Sequence, residues 1–180
     1  GMYILLTKNG VMFLGDPTVN SNPDVEAIVH ITELIARAVR NFDMEPRVAL
    51  LSYSNFGSAE TKTTKKMAKA AQILREKHPD LLVDGEMQAN FALNKDLLKE
   101  HFPFSTLVDK KVNVLIFPNL SSGNIAYKLL QELGSVEAIG PLLLGMNKSV
   151  HVLQMGCSVR EIVNVAAVAA MDAQIHQSKK

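Results

Sequence analysis

Two short apolar runs, each opening into a small polar loop and then a helical pattern, restrict this chain to very few folds. The first is Arg47-Val48-Ala49-Leu50-Leu51, followed by Ser52-Tyr53-Ser54-Asn55-Phe56-Gly57-Ser58. The second is Val112 to Phe117, followed by Pro118-Asn119-Leu120-Ser121-Ser122-Gly123-Asn124. Runs this short and this apolar read as strands buried on both faces, the pattern of parallel sheets. Strand, loop and helix in that order place backbone N–H groups at the carboxyl end of a sheet, where α/β folds bind ligands. Two such edges predict a cleft for an anionic ligand.

The rest of the chain alternates in the same way. Tyr3–Leu6 and Val11–Leu14 flank Thr7-Lys8-Asn9-Gly10, and Asn-Gly between apolar runs signals a hairpin. Pro23 and Asp24 start a helix to about Asn41, with Val25, Ile28, Val29, Ile35 and Val39 on one face. A second helix runs from Thr61 to about Lys77, turning Met67, Ala70, Ala71 and Leu74 inward, and Pro79 ends it. Leu81–Val83 reads as a short strand, and Asn94–His101 as a short helix stopped by Pro103. The second apolar run feeds a helix over Gly123–Leu133. Ile139–Leu144 is a last strand that Pro141 confines to an edge or a bulge. Ser158 to about Gln177 closes the chain as a helix. The fold class that follows is α/β, a mostly parallel sheet with helices on both faces.

Composition narrows the function. At 180 residues and 47% hydrophobic, the chain can bury a core of its own. A net charge of +1 supplies no broad field for nucleic acid or an anionic membrane, so neither is expected as a partner. The single cysteine, Cys157, cannot form an internal disulfide and fits a reducing cytoplasm. Between Ile162 and Ala173 every residue except Asn164 and Asp172 is apolar. That stretch is too short for a membrane span of about 20 residues, so it is expected to be a helix buried on most sides. Gly1-Met2 reads as a tag remnant, which predicts excision from a longer protein.

Few residues carry obvious chemistry. The five histidines, at 30, 78, 101, 151 and 176, are not at metal-ligand spacing with each other or with Cys157, so no metal is expected. The glycines near 57 and 123 are too few for a Walker A or a dinucleotide fingerprint. Asn119–Asn124 suits a cradle for a phosphate or carbonyl, and equally the polar cap that any strand-to-helix turn needs. Asp84-Gly85-Glu86 reads as a turn with Gly85 at positive φ, the alternative being a carboxylate held in a cleft. Cys157 precedes a helix start but has no His, Asn or Asp partner beside it, so it reads as a small buried filler. Ser158-Val159-Arg160-Glu161 is a capping box, with Ser158 as N-cap and Glu161 reaching back.

From about Phe13 onward four blocks in order resemble the phosphate acetyl/butyryltransferase family. They are Ala49–Ser58, Asp84-Gly85-Glu86-Met87-Gln88, Phe117–Lys128, and Gly140-Pro141 through Ile162. The resemblance covers the later half of that family's domain. It implies an isopropylmalate-dehydrogenase/phosphotransacetylase-like fold of two α/β lobes, with acyl-CoA in the cleft between them and a homodimer as the usual assembly. Residues 1 to about 135 would form one lobe, and residues from about 136 to 180 a strand and helix belonging to the cleft and the second lobe. Ser54-Asn55-Phe56-Gly57-Ser58 and Val150-His151-Val152-Leu153 look most like the C-terminal domain of bacterial NADP-dependent malic enzymes. That implies a malic enzyme domain in a missing N-terminal part of the same polypeptide.

The resemblance also bears on catalysis. Acyl transfer between phosphate and CoA needs a cation over the phosphate, donors for the oxyanion, and a base for a thiol of pKa about 8.5. Active members of the family carry Ser-Arg-Gly-Cys-Ser-x-x-Asp, whose anchoring Ser and Arg and catalytic Asp fall here on Gln154, Met155 and Glu161. Met155 cannot replace a guanidinium, and losing one charge-assisted bond costs about 1.5–3 kcal/mol. Glu161 moves a base by roughly 1 Å, a displacement that can cost about a hundredfold.

Three readings follow. In the first, the domain binds acetyl-CoA or another acyl-CoA as a regulatory ligand of the attached malic enzyme. In the second it is an active phosphotransacetylase, with Glu161 as base and a lysine such as Lys148 for the missing arginine. The third is a dimerisation scaffold. The expected binding surface is Ser52, Asn55, Gly57 and Ser58 from the first loop, and Asn119, Ser121, Ser122, Gly123 and Asn124 from the second. Gln154, Met155 and Glu161 mark the reaction centre.

Overall fold

The computed structural model describes residues 1–134 and 136–178. Their elements run β1 (Met2–Thr7), β2 (Gly10–Gly15), α1 (Val25–Asn41), β3 (Arg47–Leu51), α2 (Lys62–Lys77), β4 (Leu82–Met87), α3 (Ala89–Leu93), α4 (Lys95–His101), β5 (Val114–Ile116), α5 (Leu120–Gly134), β6 (Glu137–Leu142) and α6 (Val159–Ser178). The strands form one sheet in the order β4-β3-β5-β2-β1-β6. β4, β3, β5 and β2 are parallel neighbours, while β1 runs antiparallel to both β2 and β6. The α/β class and the mostly parallel sheet therefore match the reading of the sequence.

Alternation along the strands builds two cores. Met2, Ile4, Phe13, Val48, Leu50, Val114 and Ile116 face α1, α2 and Val165 of α6. Their neighbours Tyr3, Leu5, Leu14, Ala49, Leu51 and Leu115 face Ala92 of α3, Leu98 of α4 and Tyr127 of α5. Both faces are covered because both sets of side chains are apolar, as a buried parallel sheet demands. Caps fix the helix starts. Asp24 accepts the Ala27 N–H at 2.8 Å, and Thr61 with Thr64 forms a reciprocal box at the start of α2. Between α1 and α2, Glu33 takes Lys77 at 2.7 Å and His78 at 2.8 Å. Burial alone would raise the Glu33 carboxyl, but those two partners hold it down at about 2.

Several elements differ from expectation. The segment Asp84-Gly85-Glu86 is not a turn; it lies inside β4, paired with β3 through Ala49 and Leu50. Gly85 does have φ +143, yet the chain stays extended because both flanking carboxylates have partners inside the protein. The last strand begins two residues earlier than expected and ends at Leu142, and it is an edge strand bulged against β1, as Pro141 required. α5 starts at Leu120, before Gly123, because Asn119 already caps it. α3 left no signal in the sequence; at five residues it is too short for a periodicity.

α6 is the largest departure. It is not buried on most sides. Val165 is buried, but Val159, Ile162 and Val163 are 78%, 42% and 58% exposed, and Ala166, Ala167 and Ala170 continue the exposed stripe. Among the described residues, nothing covers this face of α6.

A Cβ on residue 85 would stand 2.6 Å from the Leu50 carbonyl oxygen, in addition to the left-handed φ. Gly85→Ala is expected to destabilise the protein by about 3 kcal/mol in urea unfolding. A loss under about 0.5 kcal/mol would mean that β4 rearranges freely there.

Candidate functional site

The first expected loop, at the carboxyl end of β3, is built around a buried acid. Glu86 is 1% exposed and accepts the Ser54 hydroxyl at 2.9 Å and the Gly57 N–H at 2.8 Å. The amides of residues 54–56, 58 and 59 are engaged as well. Ser54 N–H goes to the Ser52 hydroxyl, Asn55 N–H to the Ser58 hydroxyl and Phe56 N–H to the Glu86 carbonyl. Ser58 N–H goes to the Asn55 carbonyl, and Ala59 N–H to the Ser54 hydroxyl. Asn55 Oδ1 itself accepts from Gln88 N–H at 2.8 Å. The backbone donors that the sequence placed toward an anion thus converge on Glu86 and on loop side chains. Asp84 is likewise taken up, by Arg75 at 2.5 Å, Ser105 at 2.7 Å and Thr106 N–H at 3.0 Å.

The second loop caps α5. Ser122 N–H donates to Asn119 Oδ1 at 2.9 Å, and Gly123 N–H to the Asn119 carbonyl at 3.3 Å. Asn124 Nδ2 reaches the Pro17 carbonyl at 3.3 Å, while Ser121 is exposed. Lys66 of α2 ties this edge together, donating to the Pro118 and Pro23 carbonyls at 2.8 Å each. Burial lowers its pKa, with Asp24 opposing. Both expected loops therefore occupy the carboxyl edge of the sheet, and their capping chemistry is satisfied within the fold.

The three reaction-centre positions do meet in one cavity. It has a volume of about 120 Å³, and Gln154, Met155 and Glu161 line it together with Tyr3, Tyr127 and Lys128. Glu161 accepts from Ser158 N–H at 2.6 Å and the Ser158 hydroxyl at 2.8 Å, so the capping box is present. Those two bonds, assisted by Lys128, hold its pKa below the ordinary carboxylate range. Met155 is fully exposed at 103%, and Gln154 Nε2 donates to the Tyr3 hydroxyl at 3.3 Å. Cys157 is a half-buried wall of this cavity and not a core filler, because Gly156 and the helix start hold the segment at the surface. Lys148 is exposed and is not among the lining residues. Lys128 is the cation that lines it, with Glu161 as the carboxylate.

Sequence reasoning missed Tyr3, Tyr127 and Lys128 as site residues. The rings of Tyr3 and Tyr127 stack at 4.3 Å, and their hydroxyls lie 3.4 Å apart. Lys128 Nζ sits 4.9 Å from the centre of the Tyr127 ring, a cation–π distance. Burial, and then the bond to Tyr127, push the Tyr3 hydroxyl well above an ordinary phenol. Burial raises Tyr127 too, but Tyr3 and Lys128 outweigh it and leave that hydroxyl lowered. Gly140, at φ +148, lies against the Tyr3 ring, and a Cβ there would be 2.7 Å from it. A signal existed in α5: Asn124, Tyr127 and Gln131 lie at helical spacing toward the sheet, while Ile125, Leu129 and Leu133 point away. Among the described residues no group of three or more His, Cys, Asp or Glu side chains could hold a metal. None of the described helices is long and apolar enough to cross a membrane.

The chain is similar to known proteins along nearly its whole length. The family described as phosphate acetyl/butaryl transferase matches residues 1–170. A phosphotransacetylase structure from Streptococcus pyogenes superposes with a TM-score of 0.91 at 33% identity, covering 97% of this chain and 54% of that one. The NADP-dependent malic enzyme of Haemophilus influenzae is 45% identical over 170 residues, 94% of this chain and 22% of that protein. The phosphate acetyltransferase of Acetivibrio thermocellus is 42% identical over 170 residues, 92% of this chain and 50% of that protein. The chain spans about half the length of these transacetylases and under a quarter of the malic enzyme.

Glu86→Leu removes the Oε1 that accepts both the Gly57 N–H and the Ser54 hydroxyl. A loss of about 1–3 kcal/mol in unfolding free energy is expected, with amide exchange accelerated over 54–59. Unchanged protection over those six amides would show that the acid does not order the loop.

Proposed function

Because this chain belongs to the phosphate acetyl/butaryl transferase family, we propose that it is an acyl-CoA-binding regulatory domain with impaired transfer chemistry. The observation that carries this reading is the charge of the cavity. Among the described residues its lining supplies one cation, Lys128, and one carboxylate, Glu161, while Met155 adds no charge. A transferred phosphoryl group carries charge on three oxygens and needs a net positive site. A balanced pair can bind a neutral thioester dipole but leaves that charge unneutralised. Glu161, held by Ser158 and lowered in pKa, is also a poor base toward a thiol.

The regulated partner in this proposal is a malic enzyme domain in the same cytoplasmic polypeptide. What supports it is the match to a segment amounting to 22–23% of two malic enzymes. Regulation then follows if the two states of the whole protein differ in affinity for the acyl-CoA. The loop residues Ser52, Asn55, Gly57, Ser58, Asn119, Ser121, Ser122, Gly123 and Asn124 form the remainder of the binding edge. The engagement of the Asn55, Gly57, Ser58, Ser122 and Gly123 amides inside the fold supports a role through side chains and shape. The homodimer rests on α5, whose outward side exposes Ile125, Leu129 and Leu133 at 60%, 53% and 82%. Spaced by four, these three present the same surface when two helices cross antiparallel about Leu129, as a two-fold contact requires.

Acetyl transfer from acetyl phosphate to CoA is expected below about 1 s⁻¹, the low end of ordinary enzymes. Met155→Arg is expected to raise that rate at least tenfold. An ordinary rate in the unmodified protein, or no gain in the variant, would sink the impaired reading. Titration calorimetry with acetyl-CoA tests binding itself; absence of heat at millimolar ligand speaks for a scaffold. Leu129→Glu is expected to shift a dimer to monomer in sedimentation with an unchanged melting profile. Persistence of the dimer would move the interface elsewhere.

A further inference from the structure

The Tyr3–Tyr127 pair and Lys128 belong to no cap and no loop closure, and the two hydroxyls add nothing to the charge balance of the cavity. Gln154 Nε2 donates to the Tyr3 hydroxyl and Tyr3 donates to Tyr127, at 3.3 and 3.4 Å. A phenol has one proton and can accept besides. Tyr3 therefore directs its proton to Tyr127, and the Tyr127 proton is the terminal donor of the chain. Chains of this kind polarise their last member. Both bonds are long, so the terminal hydroxyl can turn toward a closer acceptor. Lys128 lies beside the same ring, and Gly140 is the residue that leaves room for Tyr3.

We propose that the Tyr127 hydroxyl and the Lys128 ammonium hold the carbonyl oxygen of a short acyl thioester, with Tyr3 and Gln154 as positioning residues behind Tyr127. This deepens, and rests on, the acyl-CoA reading. Three observations point to a carbonyl. The donors come from one cation and one neutral hydroxyl, the Glu161 carboxylate disfavours an anion in the same space, and the lining is polar. Size points to a short acyl group. At about 120 Å³ the cavity is small, which favours an acetyl end over a longer chain. The lowered pKa of the Tyr127 hydroxyl, held down by Tyr3 and Lys128 against burial, is consistent with a stronger donor.

The test compares acetyl-CoA with CoA, which lacks the carbonyl, by titration calorimetry on the 180-residue protein. The unmodified protein is expected to prefer acetyl-CoA. Tyr127→Phe and Lys128→Met are each expected to weaken acetyl-CoA about fivefold while leaving CoA unchanged, the loss of one hydrogen bond. Lys128→Arg should restore most of the preference, and butyryl-CoA should bind more weakly than acetyl-CoA. Equal losses for acetyl-CoA and CoA, or no loss in Lys128→Met, would overturn the assignment while acyl-CoA binding itself stands. Absence of binding by either ligand to the unmodified protein would instead remove the acyl-CoA reading and this inference with it. Lys128 is exposed, so its variants decide the question even where Tyr127→Phe fails to fold.

Discussion

β1 runs against both of its neighbours, and the arrangement of the site depends on that reversal. Its first residues lie beside the last residues of β2 and β6, with Met2 opposite Gly15 and Leu142. Tyr3 is thereby delivered to the carboxyl edge, where the loops after β3 and β5 also emerge. A parallel β1 would have put Tyr3 at the far end, out of reach of Tyr127 and Gln154. The hairpin that enforces the reversal is local, a short connection between two apolar runs. A cheap local turn therefore positions a side chain that meets partners 124 and 151 residues away.

Charge within the cavity separates holding from transforming a ligand. The family's reaction needs surplus positive charge where a phosphoryl group develops its own, and a base free to take a proton. Here Lys128 is balanced by Glu161, Glu161 is engaged by its own N-cap, and residue 155 is a thioether. Such a site keeps hydrogen-bond donors and a cation, enough to orient a dipolar acyl group. Substitution at the reacting atoms leaves the fold intact because those residues lie on the surface of a sheet already packed by other side chains.

Two helices remain short of partners. α5 buries Gly123 and Tyr127 and turns its isoleucine and leucines outward, the reverse of a helix that packs only on its own sheet. α6 carries an apolar stripe along its open side. Apolar faces of this kind are stabilised by about 25 cal/mol per Å² when covered, so they argue for contacts beyond these residues. The related proteins being two to four times longer agrees with that.

What the sequence determined by itself was the sheet. Apolar runs at Arg47–Leu51 and Val112–Phe117, helical periodicities over 25–41 and 62–77, and the caps at Asp24, Asn94 and Ser158 are local signals, and local backbone preferences carried them into the fold. That positions 154, 155 and 161 line one cavity follows from their lying within one short segment. What only the tertiary structure decided was which groups line the cavity and which face each other. Glu86 takes the Gly57 N–H and the Ser54 hydroxyl from about thirty residues away, and no local pattern distinguishes that loop from an anion cradle. Asp84-Gly85-Glu86 has the composition of a turn, yet pairing with β3 and buried partners for both carboxylates keep it extended. Tyr3 and Tyr127 became neighbours through strand order, a property of the assembled sheet and not of either segment.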